Sequence, residues 1–217
     1  MSAQEHVGSE ERIPQLKNVE LVSEGWINKY LLTYEMPNGR DYTYEGVSRK
    51  GLDGYLAALQ ANAEGRPSAP DALCMVPRLP DGSYLLIREF RYALNSWCIS
   101  FPAGLIEPGE TMGECADREL HEETGYRVRF ELGERAVRPL PQPGYSSTGL
   151  AEENVQVVFV EVERDGDAVP EDSEFIETFT LHCEDIERFL HENRTPIGTR
   201  CQLILWMLSK ECRQRIE

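Results

Sequence analysis

Alternating apolar and polar positions, separated by turn-forming residues, divide the chain into short strands and helices. Residues 26–34 and 41–47 both alternate in this way, and the Asn38-Gly39 turn between them predicts a β-hairpin. Apolar residues at helical spacing then predict a helix over residues 53–64, which ends where Gly and Pro become frequent.

The remainder of the chain, residues 67–217, has the pattern of a larger domain. Its predicted strands are residues 72–79, 84–91, 97–101, 128–132, 154–163 and 174–181. Its predicted helices are residues 112–124, 184–193 and 199–215. Because strands and helices do not alternate strictly, the pattern indicates an α+β fold in which helices flank a mixed sheet. Residues 1–66 are then an N-terminal extension, made of the β-hairpin and one helix.

The helix predicted at residues 112–124 concentrates negative charge on one side. Glu119, Glu122 and Glu123 stand at positions i, i+3 and i+4, so their carboxylates share one face. Like charges at this spacing destabilise a helix by roughly a few tenths of a kcal/mol per pair. From the helix alone, the face is either a solvated acidic surface or a site for a hard divalent cation such as Mg²⁺ or Mn²⁺.

The net charge excludes two classes of partner. Lysine and arginine number 22 against 38 aspartates and glutamates, which gives a formal net charge of −16. Nucleic acid and anionic membrane surfaces would be repelled by such a chain. A small phosphate ester remains compatible with it, provided that a metal ion and a few arginines line the site.

The cysteines and the apolar runs indicate a cytoplasmic protein. None of the six cysteines has CxxC spacing, and most have apolar neighbours, which is typical of reduced thiols in a core. Residues 1–17 contain no apolar stretch of the kind that signal peptides carry. The longest strongly apolar run, residues 203–208, is too short to span a bilayer.

Residues 104–126, GLIEPGETMGECADRELHEETGY, place the three glutamates at fixed distances from an upstream glycine and glutamate. The spacing of Gly104, Glu110 and the run from Arg118 to Gly125 resembles the signature of the Nudix hydrolases. Tyr126 departs from that signature, since the family prefers a bulky aliphatic residue there. The resemblance implies an α/β/α sandwich around a mixed sheet, which is compatible with the α+β pattern.

The resemblance also implies roles for residues in and beside the motif. It implies that Glu119, Glu122, Glu123 and the backbone carbonyl of Ala103 bind Mg²⁺, for which Mn²⁺ may substitute. It further implies that Arg118 is structural and holds the carboxylates of the motif by ion pairing.

Other stretches resemble one branch of the family, the ADP-ribose pyrophosphatases or ADP-sugar pyrophosphatases. Residues 23–26 and 44–49 resemble the N-terminal β-extension of that branch, and residues 89–91 lie at its distance from residues 101–104. Residues 1–66 would then serve dimerisation and binding of the substrate base, and residues 67–217 would be the catalytic domain.

Five substrate-binding residues follow from this likeness. It implies that Trp26 and Tyr44 sandwich an adenine, with Glu45 beside them, and that Arg49 and Arg91 contact the diphosphate. The structural alternatives are packing within the hairpin for the two aromatic residues and a surface ion pair for Arg91.

The loop before the strand predicted at residues 154–163 resembles a segment that carries a catalytic glutamate in the family. The family spacing, counted from Gly149, selects Glu153 as the general base that accepts a proton from water. Glu152 and, on the helix, Glu122 are the alternatives.

These likenesses imply a Mg²⁺-dependent enzyme that hydrolyses ADP-ribose or a related ADP-sugar to AMP and a sugar phosphate. They also imply a homodimer in which the N-terminal extension is exchanged between subunits. GDP-mannose or another nucleotide sugar is the alternative substrate, because Ser100 and Tyr44 depart from residues frequent in the branch. A non-catalytic nucleotide sensor is the alternative of another class, although such modules usually lose the glutamates that this chain retains.

Overall fold

A computed structural model of the protein describes residues 13–66 and 68–216. The chain divides into two compact units. The first unit comprises Met1–Ala69 and Tyr145–Glu153, and the second comprises Pro70–Gly144 and Asn154–Glu217. The first unit therefore includes a later segment of the chain, Tyr145–Glu153, in addition to the N-terminal extension that the sequence pattern outlines.

Three antiparallel strands and one helix make up most of the first unit. β1 (Gln15–Ser23), β2 (Asn28–Glu35) and β3 (Asp41–Ser48) form a sheet in that order, and α1 (Leu52–Ala63) follows β3. The hairpin and the helix agree with the sequence pattern. The pattern misses β1, because this edge strand is exposed along nearly all its length and two irregularities interrupt its pairing with β2.

The strand predicted at residues 26–34 begins two residues later than expected, at Asn28. The Asn28 side chain accepts a hydrogen bond from the Gly25 N–H at 3.0 Å and donates one to the Lys50 carbonyl at 3.0 Å. These bonds hold a bend ahead of β2, so Trp26 lies in a loop and not in the strand.

A small hydrophobic core joins α1 to the sheet of the first unit. Tyr30 and Leu32 of β2 and Tyr55 of α1 are all buried in one cluster. The rings of Tyr30 and Tyr55 lie 4.5 Å apart between centroids, within the range of favourable aromatic pairs. These three side chains hold the helix against one face of the sheet.

The second unit contains the longer strands and three helices. Its strands are β4 (Ala72–Arg78), β5 (Tyr84–Arg91), β6 (Ser96–Ser100), β7 (Ala103–Leu105), β8 (Tyr126–Val128), β9 (Val137–Pro139), β11 (Asn154–Arg164) and β12 (Ile176–Leu181), while β10 (Gly144–Tyr145) marks the boundary of the two units. Its helices are α2 (Met112–Thr124), α3 (Ile186–Glu192) and α4 (Thr199–Ile216). Within residues 13–66 and 68–216, no helix is long and apolar enough to cross a membrane.

The sheet of the second unit is mixed. Its main path runs β11-β4-β5-β12, in which β11 and β4 are parallel and the two other pairs are antiparallel. β6 pairs with β5, β7 with β4, and β8 and β9 with β11. Since helices and strands do not alternate regularly along the chain, this arrangement is the α+β fold that the pattern predicts.

Helices cover both faces of this sheet. Successive side chains of a strand point to opposite faces, and the first six residues of β4 are all buried. Val76 packs in a cluster with Ile186 of α3 and Leu205 of α4, whereas its neighbour Met75 packs in a cluster with Leu120 of α2. The predicted α/β/α sandwich is therefore confirmed.

The sequence pattern is wrong for residues 128–132, which it assigns to a strand. β8 ends at Val128, and Phe130–Arg135 forms 3₁₀ turns with a kink at Gly133. β7, β8 and β9 have three residues each, which is too few for an alternating pattern to distinguish them from loops.

The expectation of reduced core thiols is wrong for two of the six cysteines. Cys183 and Cys212 form a disulfide, with their Cα atoms 6.0 Å apart, a separation that suits such a bond. They are 29 residues apart in the sequence and meet because the chain around α3 packs against α4. The other four cysteines are free and buried, as the pattern predicts.

Candidate active site

Backbone signals fix both ends of α2, which carries the predicted metal ligands. Thr111 and Glu114 form a capping box: the Thr111 Oγ1 accepts from the Glu114 N–H at 3.3 Å, and the Glu114 carboxylate accepts from the Thr111 N–H at 2.9 Å. At the other end, Gly125 has a left-handed φ of +73°, and its N–H donates to the His121 carbonyl at 2.9 Å. A side chain at Gly125 would collide with the backbone of Gly166.

Arg118 links the carboxylates of the motif. Its guanidinium donates two hydrogen bonds of 2.9 Å to Glu110 and one of 2.7 Å to Glu119, with a longer contact of 3.3 Å to Glu122. It also donates to the Leu105 carbonyl at 3.0 Å. The hydrogen bonds from Arg118 lower the pKa of Glu110, so this carboxylate stays ionised at neutral pH.

The Glu119 carboxylate lies directly over Gly104. A Cβ atom at Gly104 would overlap with that carboxylate, so the glycine is required for the side chain to lie there. Burial raises the pKa of Glu119, and the neighbouring Arg118 opposes this effect. The glycine at the start of the motif therefore makes room for one of its glutamates.

Glu123 is the most enclosed carboxylate on α2, with 6% of its surface exposed. Its Oε2 atom is buried and has no hydrogen-bond partner in the part of the chain that the structure describes. Burial raises the pKa of Glu123 well above its usual value, and the negative charges of Glu89, Glu119 and Glu174 raise it further. An unpaired buried carboxylate among three others is costly without a cation.

These features fit a divalent cation. Hard cations take carboxylate oxygens, and Glu123 offers one that has no other partner among the described residues. Within residues 13–66 and 68–216, no three acidic, histidine or cysteine side chains are already arranged as a metal site. Two of the predicted ligands, Glu119 and Glu122, accept hydrogen bonds from Arg118.

The strands of the second unit place two more predicted residues. Ala103 begins β7, which pairs with β4, directly before Gly104. Arg91 ends β5 and forms a 2.5 Å ion pair with Glu89, which also accepts a 2.9 Å hydrogen bond from the Ser100 hydroxyl. Since Glu89 and Arg91 both shift the pKa of Glu123, they lie within electrostatic reach of it.

Glu174 is a candidate that the sequence interpretation missed. It lies in the loop before β12, where its carboxylate accepts a 3.0 Å hydrogen bond from the Glu171 N–H. Its charge raises the pKa of both Glu119 and Glu123. The family spacing that selects Glu153 does not select Glu174, because Pro170 stands four residues before it where the spacing has a glycine.

The two predicted base-binding aromatics lie in different parts of the first unit. Trp26 is in the loop before β2 and is 76% exposed. Tyr44 is on β3, where its hydroxyl donates to the Gly149 carbonyl at 2.5 Å. Asn28 pairs with Ser48, so about 13 Å of strand separates the Trp26 loop from Tyr44. Among the described residues, the two rings form no aromatic contact.

The remaining predicted residues of the first unit form ion pairs. Arg49 is paired with Glu153, the predicted general base. Glu45 lies 2.9 Å from the amino group of Lys29. Glu152, an alternative base, is buried, whereas the side chain of Glu153 is 30% exposed.

Comparison with known proteins identifies the family. The NUDIX domain model matches residues 68–199, which is more than half of the chain. The chain therefore belongs to the Nudix family.

Relatives in two organisms share most of its length. The chain is 33% identical over 181 residues to an ADP-sugar pyrophosphatase of Mus musculus, covering 77% of this chain and 72% of that protein. It is 29% identical over 178 residues to an ADP-ribose pyrophosphatase of Saccharomyces cerevisiae, covering 78% and 70%.

A solved structure has the same fold. The crystal structure of an ADP compounds hydrolase superposes with a TM-score of 0.69 at 21% identity, covering 93% of this chain and 95% of that one. The predicted family, the predicted fold and the class of enzyme, a Nudix hydrolase, are confirmed. The individual site residues remain predictions.

Replacing the unpaired carboxylate tests whether Glu123 is a metal ligand. We expect Glu123→Gln to be more stable than the wild type by about 1–3 kcal/mol at neutral pH without divalent metal, because an uncompensated buried charge is removed. A raised folded-state pKa means that stability is lost as pH rises from the unfolded value, so the advantage should grow between about pH 5 and pH 8. Chemical denaturation across this range measures it.

Added Mg²⁺ should stabilise the wild type more than Glu123→Gln, since a ligand that binds the native state shifts the unfolding equilibrium. Glu134→Gln, which removes an exposed carboxylate, is the matched control and should respond as the wild type does. A wild type that is more stable than Glu123→Gln in the absence of metal would contradict the assignment.

Proposed function

We propose that the protein hydrolyses the diphosphate of ADP-ribose or a related ADP-sugar, releasing AMP and a sugar phosphate, in a Mg²⁺-dependent reaction. The observation that carries this proposal is the buried Glu123 carboxylate, unpaired within the described chain and within electrostatic reach of Glu119 and Glu174. The substrate class is supported by relatives named ADP-sugar pyrophosphatase and ADP-ribose pyrophosphatase.

Glu119, Glu122, Glu123 and the Ala103 carbonyl would hold the metal. Divalent cations suit the family and the oxygen donors of this site, and Mn²⁺ is expected to replace Mg²⁺. When bound, the cation neutralises the charge of the diphosphate and makes water more acidic. Arg118 donates hydrogen bonds to Glu119 and Glu122 on the same helix, and a bound cation would compete with Arg118 for these two carboxylates.

Two arginines would orient the diphosphate. The Arg91 side chain is 53% exposed at the end of β5, beside Glu89, and its planar group can donate two parallel hydrogen bonds to phosphate oxygens. Arg49 is 43% exposed and now paired with Glu153, so an incoming phosphate would compete for it. Each arginine would thus exchange a carboxylate partner for the substrate.

Glu174 is the proton acceptor that we favour. Its charge acts on Glu119 and Glu123, the residues that would hold the metal, and the loop before β12 carries it. Glu153 and Glu122 are the alternatives; Glu153 is engaged by Arg49, and Glu122 is contacted by Arg118. A carboxylate in hydrogen-bond reach of the attacking water would remove its proton in the transition state.

Trp26 and Tyr44 would enclose the adenine, with Glu45 at its edge. Since about 13 Å of strand separates the Trp26 loop from Tyr44, a sandwich around a flat base calls for Trp26 from a second copy of the chain. We therefore propose a homodimer in which the extension of each subunit serves the site of the other.

A panel of substrates tests the activity. Initial rates with Mg²⁺ should give a kcat/KM for ADP-ribose about tenfold or more above that for GDP-mannose, UDP-glucose and ATP. The reason is that the site would contact both the adenine and the diphosphate of the substrate. The products should be AMP and ribose 5-phosphate, and a chelator should abolish the rate. Faster hydrolysis of GDP-mannose would reassign the substrate. No hydrolysis of any member would favour the nucleotide sensor.

Isosteric variants test the choice of base. Glu174→Gln should lower kcat by about 10²–10⁴-fold with little change in KM, and should remove the acidic limb of the pH–rate profile. Glu171→Gln, in the same loop, is the control and should leave both parameters near those of the wild type. If Glu174→Gln is nearly unimpaired while Glu153→Gln or Glu122→Gln shows this loss, the base is that other residue.

Mixing two impaired variants tests the exchanged dimer. Trp26→Ala and Glu123→Gln should each be weak on subsaturating ADP-ribose. Heterodimers of the two would regain one intact site, with Trp26 from one subunit and Glu123 from the other, so the mixture should recover about a quarter of wild-type activity. A monomer by light scattering would contradict the exchanged dimer. A mixture whose hydrolysis rate does not exceed that of either variant alone would contradict it too.

A further inference from the structure

The loop between β11 and β12 carries Glu174 and passes from the end of α2 to the end of β5. Near its start, the Val169 N–H donates to the Glu122 carbonyl of α2 at 2.9 Å. At its end, the Phe90 N–H of β5 donates to the Phe175 carbonyl at 3.0 Å, one residue ahead of β12. Both bonds join backbone groups, so they do not depend on the side chains of the loop.

Glu174 lies at the end of a tight turn within this loop. Its N–H donates to the Glu171 carbonyl at 2.9 Å, which closes a β-turn over residues 171–174. Its carboxylate accepts from the Glu171 N–H at 3.0 Å. These two bonds orient the Glu174 side chain within the turn. Where Glu174 lies relative to α2 therefore depends on how the turn as a whole is held.

Tyr92 holds this turn through its side chain. The residue directly follows β5, in the 3₁₀ turn Tyr92–Leu94, and its hydroxyl donates to the Ser173 carbonyl at 3.0 Å. Together with the bond from the Phe90 N–H, this bond fastens the residues on both sides of Glu174 to the end of β5. Arg91, one of the two arginines proposed for the diphosphate, lies between the two residues that donate these bonds.

Neighbouring rings hold the Tyr92 side chain, although it is exposed. The rings of Phe90 and Tyr92 lie 5.4 Å apart between centroids in edge contact, and Phe90 makes a second edge contact with Trp97 of β6 at 6.2 Å. Tyr92 is nevertheless 64% exposed, and Phe175 beside the turn is 56% exposed. Because little apolar packing holds the turn, loss of the hydroxyl bond should allow the turn to move.

The place of the turn bears on the reaction because the charge of Glu174 acts on Glu119 and Glu123. We propose that Tyr92 is a positioning residue, whose hydroxyl holds the Ser173 carbonyl and thereby keeps Glu174 beside the carboxylates of α2. This inference rests on the proposed function, in which Glu174 accepts the proton of the attacking water. It adds a residue that touches neither the substrate nor the metal and acts through Glu174 alone.

Kinetics of Tyr92→Phe and Glu174→Gln, alone and combined, test this role with ADP-ribose and Mg²⁺. Tyr92→Phe keeps the ring and removes one hydrogen bond, so kcat should fall about threefold to tenfold with KM nearly unchanged. Adding Tyr92→Phe to Glu174→Gln should lower kcat no further, because the group that Tyr92 positions is already disabled. Tyr42→Phe, at a tyrosine of β3 that is 52% exposed, is the control and should match the wild type.

Hydrogen exchange of the substrate-free protein tests the tether without reference to catalysis. The Glu174 N–H is protected by its bond to the Glu171 carbonyl within the turn. In Tyr92→Phe this amide should exchange about threefold faster or more, while in Tyr42→Phe it should exchange as in the wild type. Unchanged exchange in Tyr92→Phe would mean that the hydroxyl does not hold the turn, which would overturn the inference.

The kinetic outcomes separate this inference from the proposed function. If Glu174→Gln is impaired while Tyr92→Phe has the kcat of the wild type, the inference is wrong and the choice of base stands. An equal loss of kcat from Tyr92→Phe in both backgrounds would also overturn it, since Tyr92 would then act independently of Glu174. If Glu174→Gln is itself nearly unimpaired, the choice of base is wrong and the role of Tyr92 is wrong with it.

Discussion

The crowding of carboxylates along α2 is the constraint on which the second unit depends. Arg118 compensates Glu110, Glu119 and Glu122 through direct hydrogen bonds, but Glu123 is buried with an oxygen left unpaired among the described residues. Most buried carboxylates are fully paired, because an isolated charge in a protein interior is unfavourable. The helix thus keeps one buried carboxyl oxygen without a partner among the described residues, and the capping box and Gly125 fix the two ends of the helix.

The first unit contains a comparable buried carboxylate. Glu152 is also buried and also leaves one oxygen unpaired within the described chain, while Ser48 and Lys50 satisfy the other. The surroundings differ: Glu123 is coupled to three other carboxylates, whereas Glu152 faces tyrosines. Identical functional groups thus have different surroundings because of what is packed beside them.

Sequence patterns identify the long elements and the motif well. The hairpin, α2 and the strands β4, β5 and β11 follow from periodicity and turn residues, since each is long enough to repeat. The spacing from Gly104 to Glu123 identifies the family, and at Gly104 and Arg118 the structure gives a physical reason for the residue type. β1, the three-residue strands and the 3₁₀ turns at Phe130–Arg135 could not be predicted, because edge pairing and short length leave no periodic signal.

The sequence by itself determined the fold class, the Nudix family and the carboxylates that face one way on α2, because these depend on spacing along one helix or strand. Only the tertiary structure decided which carboxylates are buried, paired or coupled. It brought Glu174 within electrostatic reach of Glu119 and Glu123, paired Arg49 with Glu153, joined Cys183 to Cys212 and enclosed Glu152 among tyrosines. Contacts between residues distant in the chain depend on packing, and packing leaves no mark on local spacing.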